Sequence, residues 1–185
     1  MQIEPTHLTG LHIIEPKVHG DSRGIFFEIY QKSAFEQAGV TASFVQENQS
    51  VSKKGVLRGI HFQKAPKGQA KLVRVTRGTI WDVAVDLNPE SPTYRQWIGV
   101  ELSEHNRRMA LLGPEMGHGF YVVSDHATVV YLCSEVYSPE HDAGVRWSDP
   151  ELGIDWHLDP KGDPILSGKD RDLPYLSELN SKPEV

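Results

Sequence analysis

His61 lies in the run Gly55-Val56-Leu57-Arg58-Gly59-Ile60-His61-Phe62-Gln63, a strand-like segment followed shortly by Lys71. An imidazole titrates near neutrality, so a histidine among cationic side chains has the chemistry of a general base beside an anionic ligand. The alternative is a structural histidine that only packs. Strict alternation puts His61 with Gly59 and Gln63, and Arg58 on the opposite face. For both to meet one ligand the strand must bend or bulge near Gly59, where glycine makes that easy. Tyr131, Tyr137, Asp170 and Lys71 join His61 as titratable groups suited to moving protons. Residue type alone carries the chemistry no further.

Charge is unevenly spread. The net charge is −6, which argues against a nucleic-acid backbone as main partner. Yet no Asp or Glu occurs from Asn48 to Trp81, where Lys53, Lys54, Arg58, Lys64, Lys67, Lys71, Arg74 and Arg77 all fall. A basic segment in an acidic chain suggests a local anion site such as one for a diphosphate. Two or three of the eight are expected to touch ligand and the rest to solvate outer strand faces.

Other chemistries find little support. A cupin-type metal site wants His-x-His, a nearby carboxylate and a distant third histidine. Here Gln63 stands two after His61, no acid follows before Asp82, and His118 is a lone distant nitrogen, so no metal is expected. No Gly-rich phosphate loop precedes a helix and no Gly-x-Ser-x-Gly elbow occurs. Cys133, the single cysteine, has no activating context, excludes an internal disulfide and fits a reducing compartment.

The elements that must position these groups are short alternating runs separated by Gly, Pro, Asn and Ser. They are residues 24–30, 71–76, 79–87, 97–102, 108–112, 118–123 and 128–135, a spacing that predicts an antiparallel sandwich or barrel. In the third run Trp81, Val83, Val85 and Leu87 share one face. Ile80, Asp82, Ala84 and Asp86 share the other, as in a lumen or a solvated surface. Ala127, Val129, Tyr131 and Cys133 also share a face, so Tyr131 either enters a ligand cavity or is a core tyrosine with its hydroxyl satisfied. One helix is predicted from Ser33, as cap, to Gly39, as stop. From Pro139 onward the chain reads as packed loops wrapping a core already formed. Residues 180–185 are expected to be loose. The length fits one domain over 1–185, no apolar run can span a bilayer, and the N-terminus does not read as a signal peptide; a cytoplasmic protein is expected.

The strings GDSRGIFFE, FVQENQS, GVLRGIHFQ, QAKLVRVTRG, WDVAVDL, SPTYRQW, VELS, HGF, YLCSEVYSPEHDAGVRWSDPELGIDW and LSGKD run in order from about Gly20 to Asp172. Together they resemble the dTDP-4-dehydrorhamnose 3,5-epimerase family, a metal-free branch of the cupin-like barrels. The resemblance implies a mainly β, cupin-like jelly-roll barrel with a few short helices. It also implies a homodimer in which the N-terminal segment reaches across to the partner. The implied substrate is a dTDP-4-keto-6-deoxy sugar inverted at C3 and C5 without a cofactor. By the same resemblance His61 matches the base, Asp170 its orienting acid, Tyr131 the opposing proton donor and Lys71 the group near the 4-keto oxygen. Arg23, Glu28, Gln46, Glu47, Asn48, Arg58, His118, Tyr137, Asp142 and Lys169 match substrate-binding positions, Arg23 acting from the partner chain. The string Gly113-Pro114-Glu115-Met116-Gly117-His118-Gly119-Phe120 departs from the usual Pro-x-Gly-Phe-Ala-His-Gly-Phe, and Asp142 stands where glutamate is common. Three other readings remain open: a relative inverting one carbon or isomerising the 4-keto sugar, a non-catalytic nucleotide-sugar sensor, and a metal-dependent cupin oxygenase.

Overall fold

Inward-facing side chains on short strands need a second sheet to cover them, and the chain supplies one. The computed structural model describes residues 1–160 and 162–180. In chain order it forms β1 (Gln2–Pro5), β2 (Leu11–Glu15), β3 (Val18–Asp21), β4 (Gly24–Phe27), α1 (Lys32–Gln37), β5 (Gln46–Lys53) and β6 (Leu57–Gln63). There follow β7 (Lys71–Arg77), β8 (Thr79–Asp86), β9 (Trp97–Ser103), β10 (Met109–Leu112), β11 (Met116–Val122) and β12 (His126–Cys133). The chain closes with β13 (Asp142–Gly144), α2 (Gly168–Arg171) and α3 (Leu176–Asn180). One antiparallel sheet has the order β1-β2-β10-β7-β12-β5, and the other β13-β6-β11-β8-β9. They pack face to face as the expected mainly β, cupin-like jelly roll. The hairpin β3–β4 belongs to neither.

The lumen changes character along the strands. Val73, Val75, Ala127 and Val129 of the first sheet meet Ile80, Ala84, Leu102, Phe120 and Val122 of the second in one apolar cluster. Two residues on from Val73 and Val129, the inward positions become Lys71 and Tyr131. The Asp82 face of β8 is therefore a buried lumen face: Asp82 and Asp86 are 1 % and 2 % exposed.

Both outer faces are covered too. Phe35 of α1 packs on Ile14, Leu72, Met109 and Leu111 outside the first sheet. Outside the second sheet, Val83, Val85 and Tyr121 lie under Val145, Leu152, Trp156 and Leu176, so the late loops do wrap a formed core. Indole N–H groups pin that wrap: Trp97 donates to the Leu152 carbonyl at 3.0 Å and Trp81 to the Asp155 carbonyl at 3.0 Å.

Ser33 is not the cap of α1. The N-cap is Gln31, with no side-chain bond, and Ser33 lies inside the helix. Burial of Phe35 sets the position of so short a helix, whose own propensity is too weak to do so. Gly39 does end it, at φ +82°, with Val40 N–H bonded to the Phe35 carbonyl and Gly39 N–H to that of Glu36. Of the tail expected to be loose, Asn180 ends α3, and 181–185 lie outside the described residues.

Candidate active site

A bulge turns both Arg58 and His61 toward the lumen. His118 on β11 faces His61, and Phe120 faces Arg58, so Gly59 and Ile60 lie opposite the single residue Gly119. Gly59 has φ +115°, and a Cβ there would lie 2.5 Å from Gly119 Cα and 2.7 Å from the His118 carbonyl oxygen. With the extra residue in β6, Arg58 and His61 line one inner cavity of about 240 Å³.

Asp170 reaches His61 through a second local device. Ile165 N–H donates to the Gly55 carbonyl at 2.8 Å, and Leu57 N–H to the Ile165 carbonyl at 3.0 Å, laying this late segment beside the start of β6. Ser167 then caps α2, accepting from Asp170 N–H at 3.0 Å. The carboxylate lands under the imidazole: Asp170 Oδ1 is 2.6 Å from His61 Nε2 and accepts from Gly59 N–H at 3.3 Å, while Oδ2 accepts from the Ser167 hydroxyl at 2.6 Å. Burial opposes ionisation of Asp170, but the bonds from His61 and Ser167 outweigh it and hold its pKa below the usual carboxylate value. An ionised carboxylate only accepts, so Nε2 of the neutral imidazole carries the proton and Nδ1 the lone pair. Nδ1 is buried and has no hydrogen-bond partner.

Across the lumen stand Tyr131 and Lys71, on the first sheet. Both line the inner cavity, and Lys71 Nζ donates to the His61 carbonyl at 3.3 Å. Burial raises the Tyr131 phenol pKa, so it keeps its proton at neutral pH. Burial pushes the Lys71 ammonium the other way, toward neutrality, against Cys133, Asp142 and Asp82. His118 completes the inner wall, its Nε2 2.7 Å from Asp82 Oδ1.

An outer cavity of about 510 Å³ shares His61, Lys71, Tyr131 and Lys169 with the inner one. Gln46, Asn48, Tyr137 and Asp142 line it. Gln46 accepts from Tyr137 N–H at 2.9 Å and donates to Asn48 Oδ1 at 3.1 Å. The Tyr137 hydroxyl donates to Asp142 Oδ2 at 3.0 Å, and Lys169 Nζ pairs with the same oxygen. Of the eight cations in the basic segment, Arg58 and Lys71 line these cavities.

Three expected binding residues are not gathered here. Glu47 faces outward, because alternation along β5 sends Gln46 and Asn48 inward and leaves Glu47 exposed; it lines neither cavity of its own chain. Glu28 is exposed just beyond β4. Arg23 sits at the tip of β3–β4, paired with Asp21, in a cleft formed by the hairpin itself. Conversely, Ser50, Gln69, Phe120 and Ser167 line the cavities without having been singled out. Ser50 follows from β5 once its inward stripe is read as polar, and Ser167 stands in LSGKD. Among the described residues no three His, Cys, Asp or Glu side chains gather so as to hold a metal ion.

A family model described as dTDP-4-dehydrorhamnose 3,5-epimerase matches residues 5–178. The chain belongs to the dTDP-4-dehydrorhamnose 3,5-epimerase family. Within that family it is 50 % identical, over 173 residues, to the dTDP-4-dehydrorhamnose 3,5-epimerase of Methanothermobacter thermautotrophicus, covering 94 % of this chain and 93 % of that one. It is 44 % identical over 179 residues to a dTDP-4-dehydrorhamnose 3-epimerase of Streptomyces niveus, covering 96 % and 85 %. Among solved structures, a dTDP-6-deoxy-D-glucose-3,5-epimerase from Legionella pneumophila in complex with dTDP-4-keto-L-rhamnose superimposes with a TM-score of 0.90. It is 44 % identical and covers 95 % of this chain and 93 % of that one.

Proposed function

We propose that this member of the epimerase family inverts C3 and C5 of dTDP-4-dehydro-6-deoxy-D-glucose to give dTDP-4-dehydro-L-rhamnose. One observation carries the reading: His61, tied through Nε2 to buried Asp170 at 2.6 Å, shares a cavity with Tyr131 and Lys71 of the opposite sheet. A sugar ring between the sheets has a base on one face and a proton donor on the other, which inversion requires.

The 4-keto group acidifies the hydrogens on both flanking carbons, since the carbanion left behind is an enolate. His61 takes the proton, and Asp170 orients the ring and stabilises the imidazolium. Lys71 offers a preorganised charge to the enolate oxygen. Tyr131, held protonated by burial, returns a proton from the far side. No electron leaves the substrate, so the reaction calls for no cofactor. The outer cavity, with Lys169, Tyr137 and Asp142, takes the thymidine diphosphate end, and Arg58 and His118 the sugar end.

The working unit in this reading is a homodimer. Phe26 and Ile25 on β3–β4 are 71 % and 56 % exposed, and Arg23 is remote from its own chain's cavities. The hairpin reaches the partner's cavity, bringing Arg23 and Glu28 to it; a light-scattering mass of one chain would remove that part. The enzyme works beside its nucleotide-sugar substrate in the cytoplasm. In line with this, Cys133 is a free thiol.

The test is conversion of dTDP-4-keto-6-deoxyglucose, followed by proton NMR and by coupled reduction to dTDP-L-rhamnose. Inversion at C3 alone would support the second reading, a single-site epimerase like the Streptomyces niveus relative. No conversion would remove the proposal.

A further inference from the structure

Among the described residues three buried side-chain atoms have no hydrogen-bond partner: Ser50 Oγ, His61 Nδ1 and Asp82 Oδ2. The first two belong to residues that line the inner cavity. Asp82 stands behind its wall, 1 % exposed, with its other oxygen 2.7 Å from His118 Nε2. A buried carboxylate with an unused oxygen is costly unless positive charge lies near. The buried ammonium of Lys71 lines the same cavity as His118, from the opposite sheet.

We propose that Asp82 is a positioning residue, the fixed negative charge behind His118 that keeps Lys71 protonated inside the barrel. The use of Lys71 in catalysis rests on the epimerase reading; the charge relation is a property of the protein without substrate.

The other groups around Lys71 do not substitute for it. From β12 come Cys133 and Tyr131, both pushed toward their neutral forms by burial. From β13 comes Asp142, already paired with Lys169 of α2. Asp170 of α2 is engaged by His61, Ser167 and Gly59. His61 of β6 offers Lys71 only its carbonyl, and Arg58 of that strand is a cation. On β11 and β8 remain His118 and Asp82, a pair that carries a net negative charge whenever the ring is neutral. Burial works against the Lys71 charge, and Cys133, Asp142 and Asp82 work for it; of these only Asp82 is neither pushed neutral by burial nor paired with a cationic lysine.

The deciding experiment follows the Lys71 side-chain resonance against pH in lysine-labelled protein, assigned by its loss in Lys71→Arg. In Asp82→Asn the midpoint should fall by about one unit or more, and in Asp82→Glu it should stay near that of the wild type. At saturating substrate, kcat of Asp82→Asn should drop earlier on the alkaline side, with KM little changed. Equal midpoints in wild type and Asp82→Asn would overturn the proposal. If Asp82→Asn does not fold, Asp82→Ser is read in the same way, and a Lys71 midpoint equal to that of the wild type overturns the proposal. Failure of the epimerase reading shows separately, as a wild type without turnover whose Lys71 still responds to Asp82.

Discussion

His118 stands directly opposite His61 across β11 and β6, and each ring gives its Nε2 to a buried aspartate, Asp82 at 2.7 Å and Asp170 at 2.6 Å. The two pairs differ in access. The His61 side chain is 29 % exposed and that of His118 only 9 %. The His61 ring is therefore open to the cavity on one side, whereas that of His118 is enclosed in the wall. The division fits one ring that exchanges protons and one that, bonded to Asp82, forms part of the wall.

Tyr131→Phe separates removal of a proton from its return on the other face. His61 can still abstract and return the proton on its own side. Solvent deuterium should then enter the sugar with retention, while inverted product forms about 100-fold more slowly or worse. A variant that inverts at the normal rate would exclude Tyr131 as the donor.

Gly59→Ala should destabilise the fold by about 2 kcal/mol or more, because it adds a Cβ at positive φ against the β11 backbone. Urea unfolding measures the loss. Unchanged stability would mean that the bulge can relax, and the shared orientation of Arg58 and His61 would then need another cause.

Asp170 gives stability a pH signature. Its folded pKa lies below the ordinary carboxylate value, so its contribution is full above that value, near pH 4, and is lost as pH falls through the lower folded pKa. Asp170→Asn should flatten the unfolding free energy across that acid window. Parallel curves for variant and wild type would contradict the direction of the shift.

Ser167→Ala removes the cap of α2 and a donor to Asp170 in one step. We expect a loss of about 1 kcal/mol in unfolding free energy, with kcat reduced more than KM is changed. A KM effect alone would mean that Ser167 serves the substrate and not the dyad.

How much of this was legible in the sequence depended on whether hydrophobic alternation marked the element. Strands β7, β8 and β12 were readable because Val73, Val75, Val83, Val85 and Val129 mark their faces. β5 was not, since its inward stripe of Gln46, Asn48, Ser50 and Ser52 is polar for the sake of the cavity it lines. Glu47, which the resemblance matches to a binding position, lies on the outward face of β5, since one step along a strand reverses the side chain. The bulge at Gly59 was anticipated, because only a break in alternation lets Arg58 join His61. The meeting of His61 with Asp170 had no local signal: it depends on the pairing of Ile165 with the segment around Val56, across 109 residues of separation between the two side chains.

The account turns on His61 as the group that takes protons from the sugar. The direct measurement is proton NMR of dTDP-4-keto-6-deoxyglucose in D₂O with the wild type and with His61→Asn, without added metal. The wild type should place deuterium at both C3 and C5, and His61→Asn at neither on the same time scale. Exchange by His61→Asn at the wild-type rate would contradict the account, whatever the rest of the cavity does.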